Sequence, residues 1–215
     1  MEHKPKLYAT DVRHLTDARY FAAQGVDYLS ANMEKGNIAA LTAEQFNEIK
    51  AWLSGVEFAP ELASFLQLEQ AKALIESVNA KTVVLPYAVP PVGLKDDGSD
   101  YYIIQKLNLL AYSTSPWVAA REMARFYKDL VKTDAFFIDL TDFGDFILNM
   151  ETINQLKLTN KEFNCFFMFD MPLPSLKRIL NKIPLYGIAV RGAEEERLGV
   201  KSFEQLNNFF EMLES

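Results

Sequence analysis

The chain has 215 residues, 49% of them apolar, with a formal net charge of -7 and a pI near 5.0. That length and apolar share suit one domain over 1–215 with a large core, and the acidity excludes a surface built for nucleic acid or anionic membrane. The one cysteine, Cys165, excludes an internal disulfide, no apolar run approaches the roughly 20 residues of a membrane span, and Met1–Lys6 lacks an apolar leader, so a soluble cytoplasmic protein is expected.

Lys6–Thr10 reads as a first strand. Thr16 is placed to cap a helix carrying Ala18, Phe21 and Ala22 and ending at Gly25. Tyr28–Ala31 is the second strand. Thr42 with Gln45 forms a capping box for a helix through Trp52 and Leu53. Val56–Ala59 is the third strand, stopped by Pro60. A long helix follows, with Phe65, Leu68, Ala71, Leu74, Ile75 and Val78 on one side, and Thr82–Leu85 is the fourth strand.

Pro86 to Ser99 then breaks the alternation, with Pro86, Pro90, Pro91, Gly93 and Gly98 and no helical period. A trimmed helix and a functional excursion are equally open there. Its apolar Val89, Val92 and Leu94 are expected at the surface and leave a homodimer contact open. Tyr101–Ile104 is a strand, and Ser115-Pro116 starts a helix through Val131. Ala135–Asp139 is the sixth strand, Met150–Leu158 a short helix, and Asn164–Phe169 the seventh strand, ending at Asp170. Pro174–Asn181 is a helix and Leu185–Val190 the eighth strand. Ser202 opens a last helix carrying Phe203, Leu206, Phe209, Phe210 and Leu213. Eight strands alternating with helices predict a single-domain α/β (β/α)8 TIM barrel, its helix 4 missing or replaced by an irregular loop at about 86–99. A doubly wound sheet is the alternative. Phe46, Trp52, Phe65, Phe126 and Phe210 fall at helical spacing and are expected to face the core.

Three stretches carry a resemblance. Asp17-Ala18 through Gly25-Val26-Asp27, the strand Asp134 to Asp139, and the last loop (Arg191-Gly192-Ala193-Glu194, then Leu198-Gly199-Val200-Lys201) are similar to motifs of the phosphoribosylanthranilate isomerase family. That family is a (β/α)8 barrel that performs an Amadori rearrangement on a phosphorylated aminosugar in tryptophan synthesis. The resemblance implies an isomerase-like barrel, divergent in substrate or chemistry, that takes a small, phosphorylated ligand and needs no cofactor. The alternative is a non-catalytic barrel that binds a ligand or partner.

Carried over by position, the resemblance makes Asp139 the catalytic acid and puts Tyr8 where the family has its cysteine base. A phenol with an ordinary pKa near 10 is a poor base at neutral pH, and Cys165 falls at the opposite end of the barrel. Lys6, Arg191, Gly192 and Asp170 are the substrate-binding candidates. The glycine-rich phosphate turns of the family are replaced by Asp170-Met171-Pro172-Leu173 and by Leu140 to Asp145, where carboxylates and a proline stand in place of backbone donors. Gly36-Asn37-Ile38 and Val84-Leu85-Pro86-Tyr87 also depart from it, whereas Gly192, Glu194, Gly199 and Lys201 match. Arg191 could bind phosphate or pair with Asp170 or Asp139.

Strand ends and the loops after them gather Asp11, Glu34, Glu61, Asp139, Asp142, Asp145, Asp170 and Glu194 to Glu196 toward one face. Such a group could ligate Mg²⁺ or Ca²⁺, hold a cationic molecule, or be a solvated acidic rim; the rim is preferred, and no metal site is expected. His3 and His14 are the only histidines, so a soft-metal site is not expected, and the sequence assembles no Ser-His-Asp or Cys-His arrangement.

Overall fold

A computed structural model describes residues 4–64, 66–87, 91–109, 116–142, 149–192 and 203–214, with the backbone of 195–197 and 200–201. Eight strands form a closed barrel in sequence order, each parallel to its neighbours: β1 (Lys6–Thr10), β2 (Tyr28–Asn32), β3 (Glu57–Glu61), β4 (Thr82–Leu85), β5 (Tyr102–Leu107), β6 (Ala135–Asp139), β7 (Cys165–Met168) and β8 (Gly187–Arg191). Closure is made by β1 against β8, from Lys6↔Gly187 to Thr10↔Arg191. A two-stranded antiparallel ribbon, β9 (Glu195–Arg197) and β10 (Val200–Lys201), follows β8. The closed parallel barrel removes the doubly wound alternative.

Side chains alternate across each strand, and the two sides build two cores. Tyr8, Ala59, Val84, Ile104, Ala135, Phe137, Phe166, Met168 and Ala189 pack inside the barrel, with Tyr28, Tyr102 and Tyr186 against them. Gly187 makes room for Phe166, since a Cβ there would lie 2.3 Å from the ring. The larger core lies between the barrel and its helices and includes Phe21, Phe46, Ile75, Ile103, Phe136, Phe167 and Phe210.

The helices are α1 (Leu15–Ala23), α2 (Ala43–Lys50), α3 (Leu68–Ser77), α4 (Pro116–Val131), α5 (Met150–Glu162), α6 (Leu173–Leu180) and α7 (Glu204–Glu214). The Thr42–Gln45 capping box is present on α2. Thr16 is not a cap: α1 begins at Leu15, with His14 at its N-cap. Helix α5 runs to Glu162 rather than Leu158, and Asn149 caps it by accepting from Thr152 N–H at 2.7 Å. Pro60 does not stop β3, which continues to Glu61. Pro60 pairs with Ala31 of β2, while the register with β4 is the single pair Glu61↔Val84.

No helix joins β4 to β5 among the described residues. The segment that replaces it is fastened by ion pairs Lys72–Asp97 (2.6 Å), Lys95–Asp134 (2.6 Å) and Lys132–Asp96 (3.1 Å). Leu94 is fully buried, contrary to the surface position expected for it, because it packs where a helix would have lain; Val92 is exposed, and Val89 lies outside the described residues. Two expected core aromatics also face solvent. Trp52 is 69% exposed because α2 ends at Lys50, and Phe126 is 52% exposed because the buried stripe of α4 is Ala120, Ala124, Tyr127 and Val131. Phe65 lies outside the described residues. No helix among the described residues is long and apolar enough to cross a membrane.

Candidate functional site

The ends of the strands set the site. Following Tyr8 on β1 and Tyr102 and Ile104 on β5, the next inward positions toward the carboxyl ends are Thr10 and Lys106. The same alternation gives Ser30 on β2, Glu61 on β3, Asp139 on β6 and Arg191 on β8. The inner core is apolar up to this level, and the topmost layer is polar.

Glu61 lies at the centre of that layer. Its Oε1 accepts from Thr10 Oγ1 at 2.8 Å and Ser30 Oγ at 2.6 Å, with Tyr8 Oη further off at 3.5 Å. Its Oε2 meets Lys106 Nζ at 2.5 Å. The Glu61 and Lys106 side chains are 7% and 13% exposed. Burial alone would raise the Glu61 carboxyl, but the Lys106 ammonium and the Ser30 and Thr10 hydroxyls outweigh it and hold the group below the ordinary carboxylate range. Glu61 is therefore ionised and its lone pairs are engaged. Lys106 lies 5.7 Å from the ring centre of Phe137 and 5.8 Å from that of Tyr87, within cation–π range.

Tyr8 is fully buried and shares a 2.6 Å hydrogen bond with Ser30. Burial, then the nearby Glu61 carboxylate, pushes its phenol well above the usual 10. Tyr8 is thus a neutral hydroxyl beneath the polar layer, edge-on to Phe137 and Phe166.

A second cluster joins the ends of β1, β6 and β8. Arg191 bridges two carboxylates, its Nε 3.1 Å from Asp11 Oδ2 and an Nη 3.1 Å from Asp139 Oδ2. The other Asp139 oxygen accepts from the Thr141 N–H at 2.9 Å and the Thr141 hydroxyl at 2.7 Å. Asp11 has φ +59°, in the left-handed region, and its carbonyl oxygen lies 3.1 Å from where a Cβ on Gly192 would sit. That close approach explains the glycine at 192, whose N–H is donated to the Thr10 carbonyl at 3.1 Å and is thereby turned to strand closure.

Beside this cluster a cavity of about 910 Å³ opens between the ends of β7 and β8, the turn at Asp170–Pro172 and the start of α7. Asp142, Asp170 and Glu204 line it with Arg191. Lys6 is not part of the mouth. It sits at the amino end of the barrel, with its Nζ 3.4 Å from Tyr28 Oη and over the Tyr28 and Tyr186 rings. Cys165 is also far from the mouth, buried at the start of β7, where burial pushes its thiol up. Asp139, Arg191 and Gly192 are brought together, Asp170 faces the adjoining cavity, and Tyr8 lies below them. Asp145, Glu194 and Gly199 lie outside the described residues. Among the described residues no group of three or more His, Cys, Asp or Glu is arranged to hold a metal ion. Lys106 and Glu61 form the ion pair at the centre of the polar layer, and no motif in the sequence marks Lys106.

These features define an eight-stranded parallel α/β barrel with its polar residues gathered at the carboxyl ends of the strands, the end where barrels of this class place their sites. The structure is similar to that of N-(5'-phosphoribosyl)anthranilate isomerase from Pyrococcus furiosus, with a TM-score of 0.73 and 9% identity over 98% of each chain. The Thermus thermophilus phosphoribosyl anthranilate isomerase gives 0.70 at 18% identity, over 97% of this chain and 98% of that one. KGPDC from Streptococcus mutans gives 0.62 at 10% identity over 87% of each chain. At these identities the likeness is one of fold. No family model and no curated protein matches the sequence.

Proposed function

We propose that the chain is a divergent relative of the phosphoribosylanthranilate isomerases that binds a small molecule at the barrel mouth and has left the isomerase's own chemistry behind. The observation that carries this is Tyr8. At the position where the resemblance puts the proton-abstracting base, the chain has a fully buried phenol raised well above its usual pKa. A neutral hydroxyl under a layer of polar side chains cannot remove a carbon-bound proton at neutral pH. The phosphate turns point the same way, because Asp142, Asp170 and Glu204 would meet a phosphate in the cavity with negative charge. Asp139 keeps its place at the end of β6, where Arg191 and Thr141 hold its carboxylate at the mouth. The Arg191 bridge between Asp11 and Asp139 also supports a second reading, a binding barrel without catalysis in which both acids serve to hold Arg191 in place.

Complementation of an isomerase-deficient tryptophan auxotroph tests the proposal. No growth is expected at expression levels where the protein is soluble. Growth that depends on Asp139 would overturn the reading and restore the ancestral reaction.

A further inference from the structure

We propose that Lys106 is the ligand-binding cation of the barrel mouth, that it takes a carboxylate group of a small molecule, and that Glu61 is the internal carboxylate that holds the ammonium when no ligand is bound. This rests on the reading of the mouth as a small-molecule site, and it assigns to that site a residue outside the Asp139–Arg191 cluster.

The argument begins with hydrogen-bond capacity. Glu61 has its Oε1 occupied by Thr10 and Ser30 and its Oε2 by Lys106. It is fully used in holding the ammonium and has little left to offer a ligand. Lys106 is in the opposite condition. An ammonium carries three protons, and among the described residues Glu61 is the one carboxylate that meets it. The faces of Phe137 and Tyr87 flank it at 5.7 and 5.8 Å. They stabilise its charge, and among the described residues Glu61 is the one hydrogen-bond acceptor of the ammonium. A buried charge is costly unless its hydrogen bonds are completed, so an oxygen acceptor arriving from the open end of the barrel completes the set.

The donors beside the ammonium select the acceptor. Tyr87 is 45% exposed, and its phenol is pushed up, by burial first and then by the Asp139 and Glu61 carboxylates. It therefore stays protonated and can donate an O–H at the rim. With the Tyr87 ring 5.8 Å from Lys106, one ammonium and one phenol supply two kinds of donor, as many as a carboxylate has oxygens. A phosphate asks for several converging donors, usually backbone N–H groups of a glycine-rich turn or helix start, and Asp170, Pro172 and Glu204 stand in that region here.

The experiment uses the full-length protein with malonate and pyruvate as probes, and with inorganic phosphate and choline chloride at equal ionic strength as comparators. Ligand binding to the native state raises the melting temperature in a saturable manner. The wild type is expected to respond to the carboxylates and less to phosphate or choline. Lys106→Met alone leaves Glu61 buried without its cation and could fail to fold. The informative variants are Glu61→Gln and the double Glu61→Gln, Lys106→Met. Glu61→Gln frees Lys106 from its competing carboxylate and is expected to bind malonate at least about threefold more tightly, whereas the double variant, still folded by circular dichroism, is expected to lose at least about tenfold in affinity. A purely structural ion pair would give no gain in Glu61→Gln. The proposal is overturned by the absence of any saturable carboxylate response in the wild type up to about 10 mM, by an unchanged response in the double variant, or by a stronger response to phosphate. Growth of the tryptophan auxotroph would overturn the reading of the chemistry and leave these binding outcomes to be decided on their own.

Discussion

Replacing Lys106 by methionine removes the charge and keeps most of the side-chain volume, so the loss falls on the ion pair. At 2.5 Å the attraction is about 6–7 kcal/mol for an effective dielectric near 20. Releasing Lys106 from its own burial returns part of that, and breaking a buried pair by removing one partner costs about 3–5 kcal/mol. The expected fall in melting temperature for a domain of this size is about 6–20 °C. The cost depends on pH with a definite sign. In the wild type the Glu61 carboxyl is held below its unfolded value, so its contribution is present above that value and is lost as pH falls through the folded one. Without Lys106, burial becomes dominant and raises the folded pKa. Such a carboxyl favours the fold below its unfolded value and disfavours it as pH rises. The two stability curves therefore draw together toward acid. Urea unfolding of wild type and Lys106→Met at pH 7 and pH 4 measures both. A difference under about 1 kcal/mol at pH 7, or one that does not shrink at pH 4, would refute the account of Glu61 as a buried carboxylate held by its cation.

Two further outcomes follow from the barrel interior. Gly187→Ala places a methyl 2.3 Å from the Phe166 ring, and the overpacking is expected to cost about 1–3 kcal/mol or more; an unchanged urea midpoint would mean that the ring can move aside. Cys165 is buried with its thiol pushed up, so it should resist Ellman's reagent in the native protein and react fully in denaturant. Rapid labelling of the native thiol would contradict its placement inside the fold.

The fold was largely legible in the sequence because strand and helix periods differ and their punctuation was clear. Thr82–Leu85 and Ala135–Asp139 have the bounds read from the sequence, and the loss of a helix before β5 was announced by the prolines and glycines of 86–99. The mouth is less legible, and for one recurring reason: sequence punctuation ends strands too early at their carboxyl ends. Pro60 reads as a stop and leaves Glu61 beyond the third strand, whereas β3 continues to Glu61. The apolar run of the fifth strand ends at Ile104 and hides Lys106, whereas β5 continues to Leu107. A parallel barrel strand can carry a proline or a charged residue at its end because that end is where the interior becomes polar. The available signal was the period-two continuation Tyr102, Ile104, Lys106, which places the lysine inward. The partners of Arg191 were open in the sequence between Asp170 and Asp139, and distance in the folded chain selects Asp139 together with Asp11. Lys6, matched to the family by its place in a motif, faces the far end because position in a strand sets depth along the barrel.

The hydroxyls and the ammonium around Glu61 come from β1, β2 and β5, and its bonds to Thr10 and Lys106 span 51 and 45 positions of the chain. Links of that length are entropically slow to form, and they give nothing back until the intervening strands are in order. A folding chain that has assembled only β1 to β4 gains none of the ion pair and still carries the burden of drying a carboxylate. The polar layer therefore acts as a late latch. Its loss is expected to speed unfolding more than it slows folding, so the ion pair would set how long the closed barrel lasts.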